Sequence, residues 1–199
     1  MVRFISILLF WLCLFSLANN NLSANSTTKK FVVVIDAGHG GNDPGAVGKK
    51  AKEKTINLNT ALKLGKLIEQ QCKDVKVVYT RKTDVFIPLN KRAQIANNAK
   101  ADLFISIHTN ALPKGKITFG AETYTLGMAR ADENLEVAKK ENSVILMEDD
   151  YKQTYKGFNP NSPESYILFE FMQDKNMSQS INFAKKIQQQ FKRAGRTDK

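Results

Sequence analysis

Histidine and cysteine are scarce in this chain, with two of each among 199 residues. Cys13 lies inside an apolar N-terminal run, so only Cys72 remains once that run is set aside. No intramolecular disulfide is then available, and packing, a metal, or both must hold the fold. Membrane-spanning runs are also missing. The longest apolar stretch, "ISILLFWLCLFSLA" from Ile5 to Ala18, has 14 residues, whereas a spanning helix needs about 20. The formal charge of +11 suits an anionic partner such as nucleic acid, an acidic membrane surface or a wall polymer. Yet Lys and Arg are scattered, with no long basic block and no basic–aromatic interleaving. That pattern argues against nucleic-acid binding and for a solvated cationic surface.

The N-terminus reads as a targeting segment. Arg3, the apolar run, and the small residues Ser16 and Ala18 predict a signal peptide over 1–18 and an exported protein, in the periplasm or at the cell exterior. An uncleaved N-terminal anchor is the alternative. Once the signal is cleaved, no stable membrane span is expected. The polar stretch 19–30 predicts a flexible spacer, and 31–199 forms the remaining domain.

Within that domain, "FVVVID" (Phe31–Asp36) is a continuous β-branched run, expected of a strand buried on both faces. "EKTINLNTALKLGKLIEQQ" places Leu58, Ala61, Leu62, Gly65 and Ile68 on one helical stripe. "VKVVYT" (Val75–Thr80) predicts a second strand, and "PLNKRAQIANNA" a helix with Pro88 in its first turn. "DLFISIH" (Asp102–His108) predicts a third strand, and "GAETYTL" (Gly120–Leu126) a fourth. Beyond Arg130 come a helical pattern in "ENLEVAKKENSVILMEDD", a loop-like "YKQTYKGFNPNSPES", an apolar "YILFEFMQ" and an amphipathic "SQSINFAKKIQQQFKRAG". Alternating strands and helices predict an α/β fold with a mostly parallel central sheet flanked by helices. The final helix has no strand after it, so the last strand is expected to be missing.

Both histidines fall at strand ends. His39 follows the first strand and His108 closes the third, which is the edge where open α/β sheets build ligand sites. Gly38, Gly40 and Gly41 allow a sharp turn and close approach around His39. Two imidazoles facing one crevice suit zinc, which in hydrolytic sites takes three protein ligands and keeps one position open. Glu53 is the candidate third ligand, because it begins the helix that follows the His39 loop. Asp43, beside Pro44 in the same loop, competes with it but also reads as a turn residue.

"IDAGHGGNDPGAVG", "EKTINL", "TR" and "LNKRAQIANNAKADLFISIHTNA", in that order, resemble the zinc-dependent N-acetylmuramoyl-L-alanine amidases over about residues 31–126. The resemblance implies Zn2+ held by His39, Glu53 and His108. It also implies hydrolysis of the amide between N-acetylmuramic acid and L-alanine in peptidoglycan. The family's catalytic glutamate sits on a last strand that has no counterpart before Lys199. The catalytic residue is therefore expected beyond Lys199, in a chain truncated at its C-terminus. About 134–176 resembles the helical insertion of regulated amidases, a lid that an activator protein would relieve. Glu141, Glu148, Asp149 and Asp150 are its candidates to face the metal. Arg81 and Arg92 recur in family motifs, as substrate contacts or as loop supports, and the helical Arg92 favours support. Arg81 and Asn110 are the substrate-binding candidates. Two alternative functions stand beside the amidase: a catalytically inactive zinc- and wall-binding fragment, and another zinc wall peptidase.

Overall fold

A computed structural model describes residues 29–111, 119–125, 139–159, 162, 165 and 176–197. The predicted signal peptide, most of the spacer and the apolar Tyr166–Gln173 lie outside the described residues. The chain divides after Lys30, and the unit Phe31–Lys199 carries the sheet.

Three strands, β1 (Phe31–Ala37), β2 (Val75–Tyr79) and β3 (Leu103–Ile107), form a parallel sheet in the order β2-β1-β3. The most continuously apolar run occupies the centre, where both edges and both faces are covered. All of β1 after Phe31 is buried. Register puts Val77, Val33 and Leu103 in one row and Tyr79, Ile35 and Ile105 in the next. Because side chains alternate along a strand, these rows share one face.

Helix α1 (Glu53–Gln71) covers that face, and Ala61, Leu58, Leu64 and Ile68 pack on it. Leu64, rather than the expected Leu62, joins this core. Close approach depends on Gly65, where a Cβ would collide with the Tyr79 hydroxyl. Helix α2 (Leu89–Asn98) links β2 to β3 and buries Arg92 and Ala96. Pro88 stands just before its first turn as the N-cap residue.

Two expectations are corrected. The sequence predicts a strand over Gly120–Leu126, of which Leu126 lies outside the described residues, but 119–125 form no ladder with the three-stranded sheet. The main-chain groups of Ala121 are taken elsewhere: its N–H donates to Thr197 O at 3.3 Å and its carbonyl accepts from Gln188 Nε2 at 2.6 Å. The helical pattern through 133–150 is also not one helix in its described part. Residues 139–142 are helical, Ser143–Met147 tighten into a 3-10 turn, and a short α3 (Tyr151–Thr154) follows. Ser143 bonds back to Lys140 O at 2.6 Å, and the β-branched Val144 and Ile145 follow it, a combination that weakens α-helix propagation. Helix α4 (Met177–Arg193) follows the predicted amphipathic pattern. Among the described residues no helix is long and apolar enough to cross a membrane.

Candidate metal centre

The crossovers from β1 and β2 carry the chain to opposite sides of β1, so the carboxyl edge beside β1 is a topological switch point. Ala37 and Ile107 are register partners, and Gly38 N–H bonds Ile107 O at 3.1 Å. The two chains therefore leave the sheet side by side. Their histidines meet there, with ring centroids 4.9 Å apart and planes at 78°.

Glycine makes room for both rings. A Cβ on Gly38 would stand 2.4 Å from the His108 imidazole, and one on Gly45 would stand 2.5 Å from His39 Cδ2. His39 itself adopts a left-handed backbone, φ +62°, which costs a non-glycine residue roughly 1–3 kcal/mol unless its surroundings enforce it. Asp43, the competing ligand candidate, instead orients this ring. Its Oδ2 lies 2.8 Å from His39 Nδ1, while its Oδ1 accepts from Gly45 N–H at 3.0 Å. Pinning Nδ1 in this way leaves Nε2 for a ligand.

Glu53 opens α1, where the helix dipole favours an acid. It is 2 % exposed. Its Oε2 accepts from Ala46 N–H at 2.9 Å, and its Oε1 from Thr109 N–H at 2.8 Å and from Asn57 Nδ2 at 3.4 Å. So held, Oε1 lies 3.3 Å from His39 Nε2 and 3.3 Å from His108 Nδ1. Donors around a tetrahedral zinc at about 2.0–2.1 Å stand about 3.3–3.4 Å from one another. Glu53 Oε1 thus stands at the edge length zinc requires from each histidine donor.

A second carboxylate, the fourth donor, completes the group. Glu141 Oε2 lies 2.8 Å from His108 Nδ1 and 3.3 Å from His39 Nε2, and all four donor atoms lie within 4.8 Å of one another. His39 Nε2 and both Glu141 oxygens are buried without an aligned hydrogen bond. Orphaned polar atoms converging on one point fit a missing cation better than a finished hydrogen-bond network. Of the four acidic lid candidates, Glu141 is the one that faces the cluster. Glu148 instead turns to Leu89 N–H, at 2.9 Å.

The electrostatics agree with that fit. Burial alone would lower the His39 pKa, but the carboxylates of Asp43, Glu141 and Glu53 outweigh it and hold it up at about 11. His108 is lowered by burial and raised more by Glu141 and Glu53, to about 9. Burial raises Glu141, and the two histidines pull it down to about 2. Glu53 is likewise raised by burial but driven well below the carboxylate range by His108, His39 and two main-chain N–H groups. Protons on the imidazoles balance the two carboxylates, and a bound dication would displace them.

Arg81, expected as a substrate contact or a loop support, has the contacts of a support here. Arg81 is 3 % exposed, and its guanidinium donates to the carbonyls of Ala37, Gly38, Lys54 and Thr83. Arg92 is a support, as its helical position suggested: it pairs with Asp36 at 2.7 Å and donates to Ile87 O, Ala37 O and His39 O. Asn110 is exposed and outside the cluster. Sequence reasoning missed Asp36, Asn57 and Thr109. Asn57 was within reach, since it follows Glu53 by four residues on the buried stripe of α1.

Together these features define an α/β protein with a candidate divalent-metal centre at the carboxyl ends of its parallel strands. The chain belongs to the N-acetylmuramoyl-L-alanine amidase (Amidase_3) family, whose profile matches residues 33–199. It is 34% identical over 167 residues to the N-acetylmuramoyl-L-alanine amidase AmiC of Escherichia coli O6:H1, covering 80% of this chain and 37% of that protein. It is 48% identical over 93 residues to the endolysin of Bacillus phage SPP1, covering 47% of this chain and 33% of that protein. A crystal structure of N-acetylmuramoyl-L-alanine amidase from Clostridium difficile 630 shares 39% identity, with a TM-score of 0.48 over 60% of this chain and 64% of that one. The matched region amounts to about a third of the length of these two curated relatives.

Proposed function

We propose that this protein is an exported zinc-dependent amidase that hydrolyses the bond between N-acetylmuramic acid and L-alanine in peptidoglycan. The observation that carries this reading is the spacing of His39 Nε2, Glu53 Oε1 and His108 Nδ1, which suits tetrahedral zinc. When bound there, zinc supplies Lewis acidity, polarising a scissile carbonyl and activating water for attack. The residues do the rest of the positioning. Asp43 fixes the His39 ring, while Ala46, Asn57 and Thr109 fix Glu53. Asn110, exposed just past His108, is the proposed substrate contact. The cationic surface favours an anionic wall polymer over an uncharged one.

Glu141 supports a regulated form of this reading. Its carboxylate stands against both histidine donors, so in this reading the segment carrying it is a lid over the open zinc position, and an activator protein would withdraw it. The test is to incubate the zinc-loaded protein, extended past Lys199 to include the catalytic glutamate expected there, and its Glu141→Ala variant with purified peptidoglycan and to identify new amino termini. New L-alanine termini, more abundant with Glu141→Ala, are expected. Termini of another residue identify a wall peptidase instead. Zinc-dependent binding without cleavage identifies a wall-binding fragment.

A further inference from the structure

Three successive carbonyls at the end of β1, those of Ala37, Gly38 and His39, are gripped by two buried guanidiniums from different elements. Arg81, just past β2, donates to Ala37 O at 2.8 Å and Gly38 O at 2.9 Å. Arg92, on α2, donates to Ala37 O at 2.9 Å and His39 O at 3.0 Å. Both are almost fully buried, at 3 % and 4 % exposed. Burying two like charges side by side is costly. Burial and the neighbouring Arg92 lower the pKa of Arg81. Asp36 compensates Arg92 directly, at 2.7 Å, whereas among the described residues Arg81 has only carbonyl dipoles as hydrogen-bond partners. An arrangement this expensive sits under one feature, the left-handed backbone of His39 at φ +62°.

We infer that Arg81 and Arg92 are positioning residues that set metal affinity by holding the main chain of His39 in its left-handed conformation. The inference rests on the zinc reading. Arginine is required at both positions because each guanidinium reaches several carbonyls at once with a rigid fork of donors. A lysine ammonium keeps the charge but cannot span them. Arg92→Lys would retain a cation for Asp36 while loosening His39 O. Arg81→Lys would loosen Gly38 O, directly before it. Release lets the backbone at His39 relax toward negative φ, which carries Nε2 away from Glu53 and His108.

The test measures zinc affinity by competition with a chromogenic chelator, and thermal stability of the zinc-free protein, for wild type, Arg81→Lys, Arg92→Lys and Leu64→Ala. Leu64 packs against the sheet's core from α1 and is not a hydrogen-bond partner of these carbonyls. Each lysine variant is expected to bind zinc about 10- to 100-fold more weakly, the usual effect of losing a group that orients a ligand. Leu64→Ala, destabilised to a similar or greater degree, should keep wild-type affinity. Cobalt-substituted lysine variants that do load should show a shifted d–d spectrum. Should one lysine variant not fold, the other carries the comparison. Wild-type affinity in folded lysine variants overturns the clamp and leaves the metal reading intact. Equal weakening in Leu64→Ala also overturns it, since affinity would then follow stability alone. Absence of zinc from folded wild type overturns the metal reading and the clamp with it.

Discussion

Asp43 Oδ2 stands 2.8 Å from Nδ1 of His39, four residues before it, and turns the opposite face of the imidazole toward Glu53 and His108. A residue that reads as a turn former in the sequence therefore fixes a ligand's orientation. Asp43→Asn keeps the loop's shape but loses the charge beside Nδ1. Zinc affinity should fall about 10- to 100-fold while the fold persists. Chelator competition alongside circular dichroism checks both halves of this expectation.

Asp36 anchors the sheet end beneath the site. Its carboxylate accepts from Thr80 Oγ1 at 2.6 Å, Ser106 Oγ at 2.7 Å and Arg92 Nη1 at 2.7 Å, joining β1 to β3, to the residue just past β2 and to α2. Asp36→Ala leaves the Arg92 cation buried without its counter-ion. The expected loss is about 3–5 kcal/mol in urea unfolding. A loss below 1 kcal/mol would contradict the role assigned to this pair.

Gly45 and Gly157 separate backbone strain from site geometry. Both have positive φ, +62° and +81°, but only Gly45 has His39 against its missing Cβ. Gly157→Ala should cost about 1–2 kcal/mol and leave zinc binding unchanged. Gly45→Ala should abolish tight zinc binding, because the added methyl and the imidazole cannot share the space. Metal titration of the two variants, side by side, decides the matter.

The segment carrying Glu141 is latched to α2. Glu148 accepts from Leu89 N–H at 2.9 Å, and Asn90 N–H donates to Tyr155 Oη at 2.8 Å. These are two of the first N–H groups of the helix, which have no partners within it. Tyr155 also bonds Glu148, at 3.1 Å. Glu148→Ala with Tyr155→Phe should speed amide exchange through 144–155 about tenfold or more, the equivalent of roughly 1–3 kcal/mol of lost hydrogen bonding. Exchange in β1 should not change. If the lid reading holds, the same variant should be the more active one on peptidoglycan.

Much of this was legible because local rules and global packing coincide. The β-branched run of β1 could only be a central strand, and α1 spans the residues its stripe and flanking Gly/Pro loop indicated. The two histidines and Glu53 could be placed from topology alone, since strand ends and a helix start converge at one edge. Gly120–Leu126 misled because alternation reports a half-buried surface and not a partner strand, and Ala121 is engaged by Gln188 and Thr197. Arg81 misled for a related reason. A guanidinium suits a carboxylate and a row of backbone carbonyls equally well, and only tertiary structure says which one it meets. Asp36 carries no periodic signal of its own, because its partners lie 44 to 70 residues away.

The central claim is that His39, Glu53 and His108 hold one metal ion. The most direct measurement is the zinc content of the purified, desalted protein beside His39→Ala, Glu53→Ala and His108→Ala, each with its folding verified. About one zinc per chain in the wild type, lost in all three variants, is the predicted result. A folded wild-type protein that holds no zinc, or variants that keep it, would contradict the account.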